Sequence, residues 1–376
     1  MAFGKFRLIA SLGHGGMADV YLAVVDGRGG GGELQVIKRL RQELSDSSGH
    51  REMFLDEARL AVRLDHPNVV HTFEVGEEGG EQYLAMEYLE GAPLNRIASR
   101  ARSKPAPPGV LLRVVADALA GLHHAHELRD HDGSILGIVH CDASPHNIFV
   151  TYEGHTKIVD FGVAKASTRA NERRSRVPTG KVGYMAPEQA RCLPLDRRAD
   201  IFVLGVVLWE VLAGCKMWDR QSDMEVLRRL VEGDLPRLRE VRPDMPEALA
   251  RICDRALALR PENRYASAAE MRSEILAYMD EAGLHVSPED VGRYVSELFA
   301  DKREKIRSVI AQQLGGASEP GSTGLPQLDS CSRSTLRSMP TPEPAEPVDK
   351  RVFAAAGATV LFAALAAFTF LQSCTP

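Results

Sequence analysis

His140-Cys141-Asp142-Ala143-Ser144-Pro145-His146-Asn147, then Asp160-Phe161-Gly162, then Ala186-Pro187-Glu188 are the stretches that decide how the rest of this chain is read. The first places an Asp and an Asn five residues apart in a loop, and the three follow one another through a mainly helical region. Toward the N-terminus, a lysine stands in the apolar strand pattern Val36-Ile37-Lys38, and Glu57 follows nineteen residues later on a predicted helix. An ammonium inside an apolar strand needs a carboxylate partner or loses its proton, and Glu57 can supply one. Further back, Leu12-Gly13-His14-Gly15-Gly16-Met17-Ala18-Asp19-Val20 is a glycine-rich turn between apparent strands. Gly13, Gly15 and Gly16 would let backbone N–H groups approach phosphate oxygens, although an ordinary hairpin carries the same pattern.

Around these motifs the periodicity changes once. From about Phe6 to Glu90 β-branched and apolar runs recur at Val20–Val25, Leu34–Ile37, Val69–Val75 and Tyr83–Tyr88, with one helix at roughly His50–Leu64 that ends at Asp65-His66-Pro67. From Val110 to about Met279 the spacing is mainly helical, interrupted by a Gly/Pro/charge-rich loop between Lys165 and Pro187. The expected fold class is therefore α+β in two lobes, a β-rich one over about 4–90 and a helical one over about 91–280. A ligand cleft is expected between them.

Taken together and in this order, the motifs resemble those of the eukaryotic-like (Hanks-type) serine/threonine protein kinases, bacterial type. The resemblance runs from about Phe6 to Met279 and implies ATP and Mg²⁺ as cofactors and protein substrates as partners. By it, Gly13, Gly15 and Gly16 would cover the ATP phosphates, Leu12 would join the cofactor-binding set, and Lys38, held by Glu57, would bind the α- and β-phosphates. Asn147 and Asp160 would be the metal ligands, and Asp142 would orient the acceptor hydroxyl and take its proton. Met86 would back the adenine pocket, the backbone of Glu87 and Leu89 would bond the adenine edge, and Val20, Val36 and Phe149 would wall the ring. Plain core packing accounts equally for the apolar members of that set. Glu188 with Arg264 match a buried structural ion pair, and Asp200 matches a brace of the catalytic loop.

Three positions depart from the family pattern. Ala18 replaces the third glycine. Cys141 stands where many relatives carry an arginine that receives an activation-loop phosphate, so dependence on phosphorylation at Ser167, Thr168, Ser175 or Thr179 is expected to be weak. Ser144 stands where a lysine usually reaches the γ-phosphate, and Lys181, in Thr179-Gly180-Lys181, is the candidate to restore that cation; a solvated surface lysine is the other reading. Ser144 and Cys141 also motivate the alternative function, a pseudokinase scaffold that binds nucleotide or partner proteins without efficient transfer. His123, His124 and His126 read as a helix surface, since no carboxylate or cysteine cluster joins them.

The remaining chain changes character twice. Ser287-Pro288-Glu289-Asp290 reads as a helix start, and 284–314 as a helical extension whose stripe Val291, Tyr294, Val295, Leu298 and Phe299 packs on the preceding domain. Residues 315–350, rich in Pro and Ser, read as a disordered linker. Val352–Leu371 is a run of 20 residues without charge, preceded by Lys350 and Arg351. It reads as a single-pass transmembrane helix in the cell membrane, with the kinase domain cytoplasmic and only Gln372–Pro376 outside; a buried Ala-rich core helix is the alternative. Small residues Ala354, Gly357 and Ala358 suggest self-association there.

Composition agrees with a globular body. The 376 residues are 44% hydrophobic and 26% charged, which excludes disorder along the whole chain. With 46 Lys plus Arg against 51 Asp plus Glu, the formal charge of -5 offers no global attraction to nucleic acid, and none is expected as a partner. The six cysteines are dispersed without a C-x-x-C pair, so neither a disulfide framework nor a structural zinc site is indicated, and the N-terminus lacks a signal-peptide core.

Overall fold

A computed structural model of the chain describes residues 1–14, 18–26, 32–41, 54–55, 58–161, 164–165, 182–314 and 325–328. Strands β1 (Ala2–Phe3), β2 (Phe6–His14), β3 (Ala18–Asp26), β4 (Gly32–Leu40), β5 (Thr72–Glu78) and β6 (Glu81–Glu87) form an antiparallel sheet in the order β1-β2-β3-β4-β6-β5. Period-two alternation sorts its side chains into two apolar layers. Leu22, Val24, Val36, Leu84 and Met86 enter one, together with Phe54 and Ala58 of a helical stretch at 54–55 and 58–61. Ala23, Ile37 and Ala85 enter the other, which Phe3 and Phe6 close by stacking edge-on against Tyr83 at 5.5 and 5.3 Å. The strand expected over Val69–Val75 starts only at Thr72, because Val69 and Val70 cross to the other lobe: Val69 bridges Ile158, and Val70 N–H donates to Ile158 O at 2.9 Å.

The second lobe contains α1 (Leu94–Ala101), α2 (Val110–His126), α3 (Pro187–Ala190), α4 (Arg198–Ala213), α5 (Asp223–Glu232), α6 (Leu238–Val241), α7 (Glu247–Ala256) and α8 (Ala268–Glu281). Helix α4 is buried on every side from Ala199 to Glu210, as its unbroken run Ile-Phe-Val-Leu-Gly-Val-Val-Leu-Trp demands, and α2, α6, α7 and α8 pack against it. Short strands carry the loops that face the sheet: β7 (Gly91–Pro93), β9 (Ile148–Thr151) and β10 (Thr156–Ile158) pair in the order β10-β9-β7, and β8 (Ile138–Val139) pairs with β11 (Ala164–Lys165).

Two further helices follow, α9 (Pro288–Leu298) and α10 (Ala300–Leu314). Ser287 caps α9 by accepting from Asp290 N–H, and Val291, Tyr294, Val295, Leu298 and Phe299 are buried, as expected for this stripe. Residues 325–328, inside the span read as a disordered linker, instead lie beside β2, with a parallel bridge between Ser11 and Gln327. The linker reading is corrected at those four residues: backbone hydrogen bonds and the buried Leu328 offset the ordering cost that their composition alone suggests they cannot meet. Among the described residues no helix is long and apolar enough to cross a membrane; Val352–Leu371 and the rest of the linker lie outside them.

Helix α9 docks through close backbone approach. Gly154, with φ +90°, would place a Cβ 1.7 Å from Pro288 O, and a Cβ at Gly292 would lie 2.7 Å from Tyr152 O. Gly154→Ala is expected to cost about 1–3 kcal/mol beyond its backbone strain. Gly133→Ala isolates that strain, since Gly133 has φ +84° with nothing within 4 Å. Equal denaturant midpoints for the two variants would contradict the packing argument.

Candidate active site

The loop His140–Asn147 joins β8 to β9 and is held from beneath by Asp200, in the first turn of α4. Asp200 is 0% exposed; its carboxylate accepts from His140 N–H and Cys141 N–H, both at 2.8 Å, and bonds His126 Nε2 at 2.8 Å. Burial pushes its carboxyl up, but the hydrogen bond with His126, the electrostatic influence of that ring and the His140 amide outweigh burial and hold it below the usual carboxylate value. The two amide bonds fix Cys141 at φ 63°, a left-handed conformation that a non-glycine residue keeps only where its surroundings impose it. His140 Nδ1 accepts from Asp142 N–H at 3.2 Å and its Nε2 meets Val159 O at 3.2 Å. An acceptor at one nitrogen and a carbonyl at the other select the neutral Nε2–H tautomer.

This scaffold sets the reacting groups. Asn147 Nδ2 donates to Asp142 O and to Asp142 Oδ2, both at 2.9 Å, so the expected acid/base carboxylate and the expected metal ligand form one unit. With both amide hydrogens used, Oδ1 is the Asn147 atom that a cation would take. Asp160 also has a left-handed backbone, φ 55°, and its carboxylate is about half exposed; Lys38 Nζ lies 3.1 Å from its Oδ1 and is largely buried. Phe161, after Asp160, is buried against the His140 ring at 4.6 Å.

Sheet register explains how the upper lobe presents Lys38. Val20 on β3 pairs across from Lys38 on β4, Val36 pairs with Met86 on β6, and Gly13 pairs with Val20. Val36 and Lys38, two apart, share one face of β4. Leu12, Val36 and Met86 are buried in the same cluster, against which Val20 and Leu89 pack, while Phe149 is buried on β9 of the other lobe. The Glu87 side chain accepts through Oε1 from His71 N–H at 2.7 Å and from Lys157 Nζ at 2.5 Å, and its backbone N–H donates to His71 O at 3.0 Å. Ser144 is 0% exposed, and among the described residues its hydroxyl has no hydrogen-bond partner. Glu57, Gly15, Gly16 and Lys181 lie outside the described residues.

The donors fit Mg²⁺ and a nucleotide. One carboxylate and one amide oxygen are hard ligands, too few for a protein-only cage but suited to an ion that also binds phosphates. The described residues include no cluster of three or more His, Cys, Asp or Glu able to hold a metal. A separate cleft, lined by His66, His123, His124, Glu127 and Arg272, contains none of the expected site residues.

The surface reading of the histidine run is overturned at His126, which is buried against Asp200. The signal was present in the sequence: Val115, Leu119, Leu122 and His126 follow one buried helical stripe, which puts His126 on the core face.

Comparison with known proteins agrees with this geometry. The protein kinase domain family matches residues 6–276, so the chain belongs to that family. It is 42% identical over 313 residues to the tyrosine-protein kinase MasK of Myxococcus xanthus, covering 82% of this chain and 48% of the relative. It is 31% identical to the serine/threonine-protein kinase PrkC of Bacillus subtilis, covering 74% of this chain and 41% of the relative. Among solved structures, the kinase domain of Mycobacterium tuberculosis PknI superposes with a TM-score of 0.55 at 26% identity, covering 75% of this chain and 98% of that one. The relatives' grouping is that of bacterial Hanks-type kinases; this chain spans less than half the length of MasK and PrkC.

Proposed function

We propose that the chain transfers the γ-phosphoryl group of ATP, with Mg²⁺, to serine or threonine hydroxyls of proteins. The observation that carries this reading is that the motif residues come together in two pairs, Asn147 Nδ2 on Asp142 Oδ2 at 2.9 Å and Lys38 Nζ on Asp160 Oδ1 at 3.1 Å, a candidate base with its orienter and a candidate phosphate-binding cation with a candidate metal-binding carboxylate. Asp142 orients the acceptor hydroxyl and accepts its proton; Lys38 neutralises phosphate charge; Asn147 and Asp160 would hold the metal, which supplies charge stabilisation at the transferred group. Lys181 is assigned to the missing lysine position at Ser144, and Lys181→Met is expected to lower turnover by about 10²-fold, the scale of one lost electrostatic donor; unchanged turnover would remove it from the mechanism.

A tyrosine acceptor is the second reading, favoured by the 42% identical relative, a tyrosine-protein kinase. Acid hydrolysis of a labelled protein substrate separates the two. Phosphoserine and phosphothreonine are expected; label on tyrosine alone would replace the first reading by the second.

We further assign Val352–Leu371 as a single-pass anchor with the catalytic lobes on the cytoplasmic side, supported by its 20 uncharged residues and by Lys350 and Arg351 before them. Leu361→Asp, at the centre of the run, adds an insertion cost of about 3 kcal/mol and is expected to move protein from the carbonate-washed membrane fraction to the soluble one. Wild-type protein already in the soluble fraction would contradict the assignment.

A further inference from the structure

The family's span ends at residue 276, yet the chain beyond it is tied to both lobes. On the helical lobe, Arg100 donates to Asp301 Oδ1 and Oδ2 at 2.8 and 3.1 Å and lies 4.3 Å from the Phe299 ring, and Tyr294 OH donates to Lys104 O at 2.9 Å. At the connection between lobes, Arg307 Nε and Nη2 grip Glu90 Oε1 and Oε2 at 2.9 and 3.0 Å. Glu90 follows Leu89 directly, the residue whose backbone is assigned to the adenine edge. On the sheet, Arg7 Nη1 donates to Gln313 O at 3.0 Å, Ser11 N–H donates to Pro326 O at 2.9 Å, and Leu328 N–H donates to Ser11 O at 2.8 Å. Ser11 immediately precedes Leu12 and Gly13, the entry to the phosphate-covering turn.

The apolar contacts follow the same path. Ile306, Val309, Ile310 and Leu328 join the cluster that holds Leu12, Val36, Met86 and Leu89. The described residues 284–314 and 325–328 thus touch both lobes, bracing the lobe connection by a bidentate ion pair and β2 by backbone pairing, and their apolar side chains share a cluster with residues assigned to adenine. A bidentate guanidinium–carboxylate pair fixes orientation as well as distance, which a single ammonium does not.

We infer that this segment is a strap that positions the nucleotide site, with Arg307, acting through Glu90, and Leu328, acting through Ser11, as positioning residues for ATP. The inference rests on the kinase reading above. A segment that only stabilised the fold would alter unfolding without distinguishing ATP from the protein acceptor. A strap packed with the adenine residues alters nucleotide affinity and KM for ATP while leaving KM for the acceptor in place.

The test uses the full chain and four variants: Arg307→Ala, Arg307→Lys, Leu328→Asp, and the exchange Glu90→Arg with Arg307→Glu. Because the Arg307 side chain is 53% exposed, its replacement leaves the fold standing. Affinity is read with a fluorescent ATP analogue, beside KM for ATP and for a protein acceptor. Arg307→Ala and Leu328→Asp are expected to weaken the analogue by roughly fivefold or more, the scale of a site-to-site coupling, with Arg307→Lys intermediate and the exchange close to wild type. Wild-type affinity in both Arg307→Ala and Leu328→Asp would overturn the inference, as would an equal rise in both KM values. If the wild type binds the analogue but transfers no phosphate, the kinase reading fails and the affinity comparison still decides the strap.

Discussion

Asp142→Asn is expected to lower phosphoryl transfer by about 10²–10⁴-fold, the range that a positioned general base supplies, with KM for ATP and the unfolding midpoint near wild type. The substitution is nearly isosteric. Asn147 Nδ2 keeps its bond to Asp142 O, and the residue-142 amide keeps its bond to His140 Nδ1, so the loop stays in place. What disappears is the carboxylate that accepts the hydroxyl proton and aims the acceptor at the γ-phosphate. Because the lost carboxylate is assigned to the transfer step and not to adenine, the loss should appear in kcat. A decrease of less than tenfold would mean that Asp142 does not take part in the chemical step.

The second large effect concerns stability. Arg264→Met alone is expected to destabilise the chain by about 3–5 kcal/mol, because it leaves the buried Glu188 carboxylate without its cation. Arg264 spends all five of its N–H groups: Nη1 on Glu188 Oε1 at 2.7 Å and Arg198 O at 2.9 Å, Nη2 on Glu188 Oε2 at 2.7 Å and Leu259 O at 3.2 Å, and Nε on Ala258 O at 2.8 Å. It also lies 4.9 Å from the Phe202 ring of α4. The pair therefore clamps the start of α3 to α4 and to the turn after α7. Replacing both partners, Glu188→Leu with Arg264→Met, removes the uncompensated charge and is expected to recover part of the loss. Denaturant midpoints measure both; a single-variant loss under about 1 kcal/mol would show that water reaches the pair.

Several parts of this architecture were legible from residue types and spacing. Strand parity placed Val36 and Lys38 on one face, Ser287-Pro288 started a helix where expected, and the order of the Asp142, Asp160 and Glu188 motifs named the fold. In each case the signal is local: a cap, a two-residue alternation, or a motif whose members share one loop. The features that escaped are those fixed by distant partners. His126 reads as surface when only the want of a nearby carboxylate or cysteine in sequence is weighed, yet its helical position puts it on the core face against Asp200. The strap depends on Arg307 meeting Glu90, 217 positions away, and on Leu328 finding the edge of β2 across more than three hundred residues. Nothing in a Pro/Ser-rich composition marks four residues as a strand partner, since edge pairing is set by context more than by intrinsic preference.

Phosphoryl transfer itself is the most direct measurement. Purified full-length protein, given γ-labelled ATP, Mg²⁺ and a generic protein acceptor, is compared with Asp160→Asn under the same conditions. Label on the acceptor with the wild type and none above background with Asp160→Asn is the predicted result. Tight nucleotide binding by the wild type with no transfer, or equal label from both proteins, would contradict it.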